Sequence, residues 1–211
     1  TDINDYDRVL SELEQGEISY ETRRALAIKV FNTTASYDAA IANYFNKKDN
    51  LVPEKLTLSY KLQDSLRYGE NPHQKAYHYV QDNNESYALQ NAVQLHGKEM
   101  SYNNIQDASA ALDILAEFDE TTCVAVKHMN PCGVATGNSV FEAYSRAYEA
   151  DPVSIFGGIV AVNGKVDKET AEKMHSIFLE IILATDYDEE ALEILTKKKN
   201  LRIYKLSEKN N

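Results

Sequence analysis

The chain has 211 residues, 43% of them hydrophobic, and a formal net charge of -11 at pH 7. A chain of this length and composition can bury a hydrophobic core without disulfides. The surplus of negative charge repels a phosphate backbone, so we expect no general binding to nucleic acid, although one local cluster of donors would suffice for a small phosphorylated molecule. The apolar runs are far shorter than the roughly 20 residues of a membrane-spanning helix, so we expect no membrane partner.

The cysteines and histidines of the sequence point to no metal centre. Cys123 and Cys132 form no C-x-x-C pair, and the five histidines share no H-x-x-x-H spacing. We therefore expect neither a disulfide framework nor a metal site, which suits a reducing cytoplasm. The first twenty residues carry six Asp or Glu and no apolar run, which is not typical of a signal or transit peptide. The sequence thus predicts a cytoplasmic protein.

Helical spacing of apolar residues dominates the first part of the chain. Gly16 and Ser19 mark a break between two predicted helices, and Ser19 is a candidate N-cap of the second. The polar stretch 46–53 is typical of a linker. We therefore place a domain boundary there, which gives a short helical segment over residues 1–50 and a second domain over residues 51–211.

Strand and helix patterns alternate beyond the linker. Leu56, Leu58, Tyr60 and Leu62 alternate with polar residues, which is the period of a half-buried strand. The further predicted elements, in chain order, are a helix over 108–115, a strand over 123–126, a helix over 140–148, a strand over 158–162, a helix over 167–177, a strand over 180–184, a helix over 189–195 and a strand over 201–204. This alternation predicts an α/β domain with a layered sheet and flanking helices.

The segment 66–74 (LRYGENPHQ) concentrates functional groups around two backbone breakers. Arg67 could hold a phosphate through both arms of its guanidinium group, and Tyr68 could add a hydroxyl or a stacking face. A surface loop whose polar side chains face water would have the same composition. The residues alone leave both interpretations open.

Lys127 and His128 stand at the end of a predicted buried strand, and Asn130 with Pro131 predicts a turn after them. Strand ends in α/β proteins border the ligand crevice. An imidazole transfers protons near neutral pH, and a neighbouring ammonium favours its free-base form, so the pair suits the deprotonation of a weakly basic amine. A histidine bound to a backbone carbonyl beside a solvated lysine is the alternative, and it stays open.

Asn104 and the glycine pair after Phe156 have two interpretations each. Asn104 lies at the start of a predicted helix, where a cap is favoured over a ligand-binding amide. At Gly157 and Gly158 a plain turn is favoured over a close approach of the backbone to a flat ligand. The sequence contains neither G-x-G-x-x-G nor a P-loop, so a bound nucleotide would be held in another way.

Five segments together resemble one family, the AICAR transformylase/IMP cyclohydrolase proteins of purine biosynthesis. They follow the order and spacing of that family, and they are 66–74, 95–104, 126–133, 151–158 and 189–195. Members of the family are more than twice as long as this chain. The resemblance implies the tail of the cyclohydrolase domain followed by the first of two α/β halves of the transformylase domain, each similar to the cytidine deaminase fold.

The resemblance also implies an activity. The family transfers a formyl group from 10-formyltetrahydrofolate, used as a cosubstrate, to the 5-amino group of AICAR, and the complete protein then closes FAICAR to IMP. Lys127 and His128 match the catalytic pair: His128 would accept a proton from the attacking amine and Lys127 would stabilise the developing charge. The residues that match substrate contacts are Arg67, Tyr68, Asn104, Phe156, Gly157 and Glu180. AICAR, the folate and a second subunit of a homodimer are the implied partners, and no metal is required because the formyl donor is already activated.

Two hypotheses of different class follow for this chain. In the first it is a catalytic transformylase region whose pocket is completed by a further half and by a second subunit. In the second the chain on its own is a non-catalytic nucleotide-binding or dimerisation module, because an incomplete site lacks the positioning that group transfer needs. Zinc-deaminase chemistry is not expected, since Pro131 and Cys132 supply one cysteine where P-C-x-x-C would supply two.

Overall fold

A computed structural model describes residues 2–81 and 87–207 of the chain. The chain forms two compact units, Thr1–Lys61 and Leu62–Asn211. The domain boundary proposed after residue 50 stays a prediction. Within the described ranges, no helix combines the length and the apolar composition needed to cross a membrane.

The first unit consists mainly of two helices, α1 (Tyr6–Glu14) and α2 (Tyr20–Lys48). The predicted break between them is confirmed: Gly16 has a φ of 125°, a conformation that favours glycine. Ser19 is the N-cap of α2, where its hydroxyl accepts a hydrogen bond from the Thr22 N–H over 3.2 Å. The sequence therefore specifies both the end of one helix and the start of the next.

The second unit contains two sheets among its described residues. One is two-stranded, with β1 (Lys61–Leu66) and β2 (Ala76–Val80). The strands of the other, six-stranded sheet are β3 (Val93–His96), β4 (Thr122–Lys127), β5 (Asn130–Thr136), β6 (Ile159–Val166), β7 (Ile181–Tyr187) and β8 (Arg202–Lys205). Their order is β3-β8-β7-β6-β4-β5, with β6, β7 and β8 parallel to one another and the remaining pairs antiparallel.

Helices cover both faces of the six-stranded sheet, which confirms the predicted layered α/β architecture. The helices are α3 (Tyr102–Ala116), α4 (Val140–Ala150), α5 (Lys168–His175) and α6 (Glu189–Leu195). Side chains of α3 pack into one buried cluster, and those of α4, α5 and α6 pack into another. Successive residues of a strand face opposite sides, so neighbours such as Ile181 and Ile182 belong to different clusters. The central strands are thus buried on both faces.

The strand predicted from the alternation at Leu56 to Leu62 is wrong for its first part. Leu56, Leu58 and Tyr60 precede β1, and each side chain is more than half exposed. Because β1 pairs in a two-stranded sheet, it lacks the covered face that would bury one side of such an alternation. Alternating apolar residues indicate a half-buried strand only where a core is present to receive them.

Candidate functional site

The end of β4 and the starts of β6 and β7 lie side by side at one edge of the six-stranded sheet. β4 runs antiparallel to β6, with Val126 opposite Ile159, and β6 runs parallel to β7, with Ile159 opposite Ile181. Lys127, the last residue of β4, therefore neighbours the loops that precede the two parallel strands. We call this edge, formed by Lys127 and the residues just before β6 and β7, the Lys127 edge.

Lys127 joins the end of β4 to the loop before β6. Its ammonium nitrogen donates a hydrogen bond to the Phe156 carbonyl oxygen over 2.8 Å. An ammonium carries three donors, so further donors of Lys127 are available to a ligand. The Phe156 ring is 57% exposed and lies 5.6 Å, centroid to centroid, from the ring of Phe178 in the loop before β7. A cation and two exposed aromatic rings thus occur together at this edge.

The glycine pair is explained by the packing of the protein itself. Gly157 has a φ of 72°, and its N–H donates to the Phe178 carbonyl over 2.7 Å. A Cβ at Gly158 would lie 2.9 Å from the Val126 carbonyl oxygen, which is closer than real Cβ atoms come. The turn and the close approach are therefore both present, and the close approach of Gly158 is to a neighbouring strand.

Asn104 combines the cap with a second contact. It is buried in the first turn of α3, where its side-chain oxygen accepts hydrogen bonds from the Ser101 N–H and hydroxyl and completes a capping box. Its amide nitrogen donates to a Glu180 carboxylate oxygen over 2.8 Å. Glu180 directly precedes β7, so α3 presents an amide and the loop presents a carboxylate at the Lys127 edge.

The turn after Lys127 differs from the prediction. The two-residue turn is formed by His128 and Met129, whose φ angles are 54° and 60°, while Asn130 and Pro131 already belong to β5. Positive φ at both positions is typical of a type I′ turn, whose twist matches that of a hairpin. Pro131 is tolerated because β5 is an edge strand, where a missing N–H costs little.

The backbone at this turn is strained. Neither His128 nor Met129 is glycine, and a left-handed conformation costs a non-glycine residue about 1–2 kcal/mol. Such conformations persist where the surroundings impose them, and they cluster at functional sites. The strain therefore singles out His128, which is exposed at the tip of the hairpin, as a candidate functional residue.

Arg67 and Tyr68 lie elsewhere in the second unit, in the loop that follows β1 of the two-stranded sheet. The guanidinium carbon of Arg67 is 4.9 Å from the centroid of the Tyr68 ring, and one guanidinium nitrogen is 3.3 Å from the Tyr68 hydroxyl. The Gly69 N–H donates to the Gln74 carbonyl over 2.9 Å and closes the loop. The two predicted nucleotide-binding residues thus contact each other, in a loop of the two-stranded sheet, whereas Lys127 belongs to the six-stranded sheet.

The cysteines near this edge are not activated nucleophiles. Cys132 is the extra residue of a β-bulge between β4 and β5, and burial raises the pKa of its thiol. Cys123 is fully buried in β4, and burial likewise raises its pKa. Both thiols stay protonated at neutral pH, since only a lowered pKa favours the thiolate.

Sequence reasoning missed one contact to this hairpin. Asp107, in α3, accepts a hydrogen bond from the Met129 N–H over 2.8 Å through one carboxylate oxygen. The sequence does place Asp107 on the same helix face as the candidate residue Asn104, because the two are three residues apart. The partner of Asp107 could not be named until the hairpin turn was located.

The family model described as the AICARFT/IMPCHase bienzyme matches residues 1–211. The chain therefore belongs to the AICARFT/IMPCHase bienzyme family.

Curated relatives carry the name bifunctional purine biosynthesis protein PurH. Those from Lactobacillus acidophilus, Lactobacillus delbrueckii subsp. bulgaricus and Bacillus cereus are 58%, 59% and 59% identical over 209, 208 and 201 residues. The matches cover 98%, 97% and 94% of this chain and 41%, 40% and 39% of the relatives. The chain thus spans about two-fifths of the length of these relatives and corresponds to a fragment of them.

Among solved structures, Acinetobacter baumannii RibD in form 2 is 15% identical, and the match covers 39% of this chain and 28% of RibD with a TM-score of 0.34. A likeness at this level supports no conclusion about the fold. The similarity of this α/β unit to the cytidine deaminase fold stays a prediction.

Proposed function

We propose that this chain supplies the Lys127–His128 part of an active site that transfers a formyl group from 10-formyltetrahydrofolate to the 5-amino group of AICAR. The full-length protein would also close the product, FAICAR, to IMP. The observation that carries the proposal is the placement of an ammonium and an imidazole, adjacent in sequence, at a strained hairpin turn. The family membership and the names of the relatives support the choice of reaction.

The chemistry needs one proton acceptor and one cation. The amine nitrogen of AICAR attacks the formyl carbon and forms a C–N bond, while His128 takes up the proton that this nitrogen loses. Lys127 stabilises the negative charge that develops on the formyl oxygen. The bond between the formyl carbon and N10 of the folate then breaks, and N10 takes up the proton that His128 had accepted, which regenerates the base. The balance requires no oxidant and no metal.

The remaining predicted residues bind the substrates. Arg67 with Tyr68 holds the phosphate of AICAR, and Asn104 with Glu180 contacts its polar groups. Phe156 and Gly157 lie beside the bound ring systems. Residues of the longer protein and of a second subunit in a cytoplasmic homodimer complete the pocket.

Formyl transfer by the full-length protein tests this assignment. Lys127→Ala and His128→Ala should each lower kcat by about a hundredfold or more, because each removes a group that acts on the reacting atoms. The control is Lys168→Ala, which removes an exposed lysine paired with Glu190 at 3.2 Å on the surface. Lys168→Ala should behave as the parent protein.

A titration of AICAR into the same variants separates a catalytic role of this region from a role in substrate binding alone. A catalytic role requires that both alanine variants still bind AICAR while turnover is lost. Parent-like turnover in either variant would contradict the assignment of the catalytic pair. If the region only binds AICAR, the alanine variants should lose AICAR binding together with turnover.

A further inference from the structure

One peptide group in the β4–β5 turn is held at both ends by side chains. It is the group between His128 and Met129, which we call the turn peptide. Its carbonyl oxygen accepts a hydrogen bond from the Asn130 side-chain amide over 2.7 Å. Its N–H donates to a carboxylate oxygen of Asp107 over 2.8 Å. Both polar groups of the turn peptide are thus satisfied by side chains.

The turn peptide forms the tip of the hairpin on which the His128 side chain stands. In a two-residue hairpin turn the central peptide stands outside the ladder of the two strands, so the ladder does not fix its orientation. A rotation of this peptide changes ψ of His128 and φ of Met129 together. Since both residues hold φ angles that non-glycine residues disfavour, the surroundings must oppose such a rotation. The two hydrogen bonds do so, because both depend on the present orientation of the peptide.

Asp107 comes from a rigid part of the fold. It lies in α3 next to Ala108, which is fully buried, as is Ala111 one turn further on. Three residues before it, Asn104 donates its hydrogen bond to Glu180. Residues three apart lie on one face of a helix, so a single face of α3 contacts both the turn that carries His128 and the loop that carries Glu180.

We infer that Asp107 is a positioning residue for formyl transfer: by accepting the Met129 N–H it ties the turn peptide, and with it the hairpin tip that carries His128, to α3. This inference rests on the proposed function. Asn130 holds the other end of the same peptide. The role of Asp107 is to accept a hydrogen bond, and its negative charge is not required for it.

Two substitutions of Asp107 in the full-length protein separate the hydrogen bond from the charge. Asp107→Ala removes the acceptor and should lower the single-turnover rate of formyl transfer about tenfold, with little change in AICAR binding. Asp107→Asn keeps an acceptor oxygen and should stay close to the parent rate. The matched control is Asp113→Ala, an exposed aspartate of the same helix, which should leave the rate unchanged.

Two further variants exclude a merely structural effect. In a His128→Ala background, Asp107→Ala should cause no additional loss of rate, because the residue acts through the imidazole. Met129→Gly should restore part of the rate in the Asp107→Ala protein, since glycine adopts a positive φ without steric cost. A residue that supports only general stability would show neither behaviour.

The outcomes separate this inference from the proposed function. If His128→Ala alone keeps the parent rate, the proposed function fails, whereas the geometry is still tested by amide exchange of Met129, which Asp107→Ala should accelerate. If His128→Ala loses activity but Asp107→Ala keeps the parent rate, the positioning role is overturned. An equal loss in Asp107→Asn and Asp107→Ala would also overturn it, because the charge would then be the property that matters.

Discussion

The two units bury very different shares of their side chains. Among the described residues of the first unit, Thr22 and Ala39 are buried, whereas large apolar side chains remain exposed along α2. These exposed side chains are Tyr20, Ile28, Val30, Phe31, Tyr37, Ile41, Tyr44 and Phe45. The second unit buries both faces of its central strands. Every candidate site residue lies in this second unit, on a scaffold with a core of its own.

Different interactions therefore hold the two units. In the second unit, apolar burial supplies the main stabilising term. In the first, polar contacts join the helix ends: the Glu12 carboxylate of α1 accepts a hydrogen bond from the Ser19 N–H over 2.8 Å and another from the Thr22 hydroxyl. Loss of an apolar side chain should therefore matter in one unit, and loss of a carboxylate in the other.

The largest effect is expected from truncating a buried isoleucine. Ile182 of β7 is fully buried, whereas Ile28 of α2 is 46% exposed. Ile182→Ala should lower the free energy of unfolding by about 2–5 kcal/mol, because it leaves a cavity in a packed core. Ile28→Ala is the matched control and should change it by less than about 0.5 kcal/mol. Urea unfolding followed by circular dichroism measures both, and equal losses would remove the distinction between the units.

A smaller effect is expected from Glu12 and depends on pH. The hydrogen bond from Thr22 and then the one from the Ser19 N–H lower the pKa of Glu12 below its usual value of 4.5. The folded state then favours the carboxylate, so the contribution to stability is present above about pH 4.5 and is lost as the pH falls through the lowered pKa. Glu12→Gln should therefore be less stable than the parent at pH 7, and the difference should be smaller at pH 3.

Urea unfolding at the two pH values measures this difference. Glu14→Gln, an exposed glutamate of the same helix, is the control and should match the parent at both. The loss in Glu12→Gln at pH 7 should also be smaller than the loss in Ile182→Ala, since the Glu12 contacts lie near the surface. A difference between parent and Glu12→Gln that is as large at pH 3 as at pH 7 would contradict the assignment.

Local sequence patterns predicted most of the second unit. The helix over 189–195 was predicted with the bounds that the structure has, and the helix from Val140 and the parallel strands were also predicted. The strands β2, β3 and β5 were not. The strand β5 was not predicted because Pro131 disfavours a strand in the interior of a sheet. The order of the strands places β5 at the edge of the sheet, where a missing N–H is tolerated.

The candidate site was predictable only as separate segments. Lys127 and His128 were recognisable because two titratable residues followed an apolar strand. Their placement at the same end of the sheet as Glu180 depends on β4 running antiparallel beside β6 and on β6 running parallel beside β7, which no local pattern specifies. The contact of Asp107 depends on the left-handed turn at Met129, and sequence patterns disfavour such a conformation for methionine. Long-range pairing and strained backbone are therefore what the sequence left open.

We propose that the nucleotide site lies in the second unit. A calorimetric titration of the full-length protein with AICAR tests it through two arginines, Arg67 beside β1 and Arg24 on the exposed surface of α2. Arg67→Ala should weaken binding about tenfold or more, because a guanidinium group that holds a phosphate is lost, and Arg24→Ala should bind as the parent does. Parent-like affinity in Arg67→Ala, or a comparable loss in Arg24→Ala, would contradict the account.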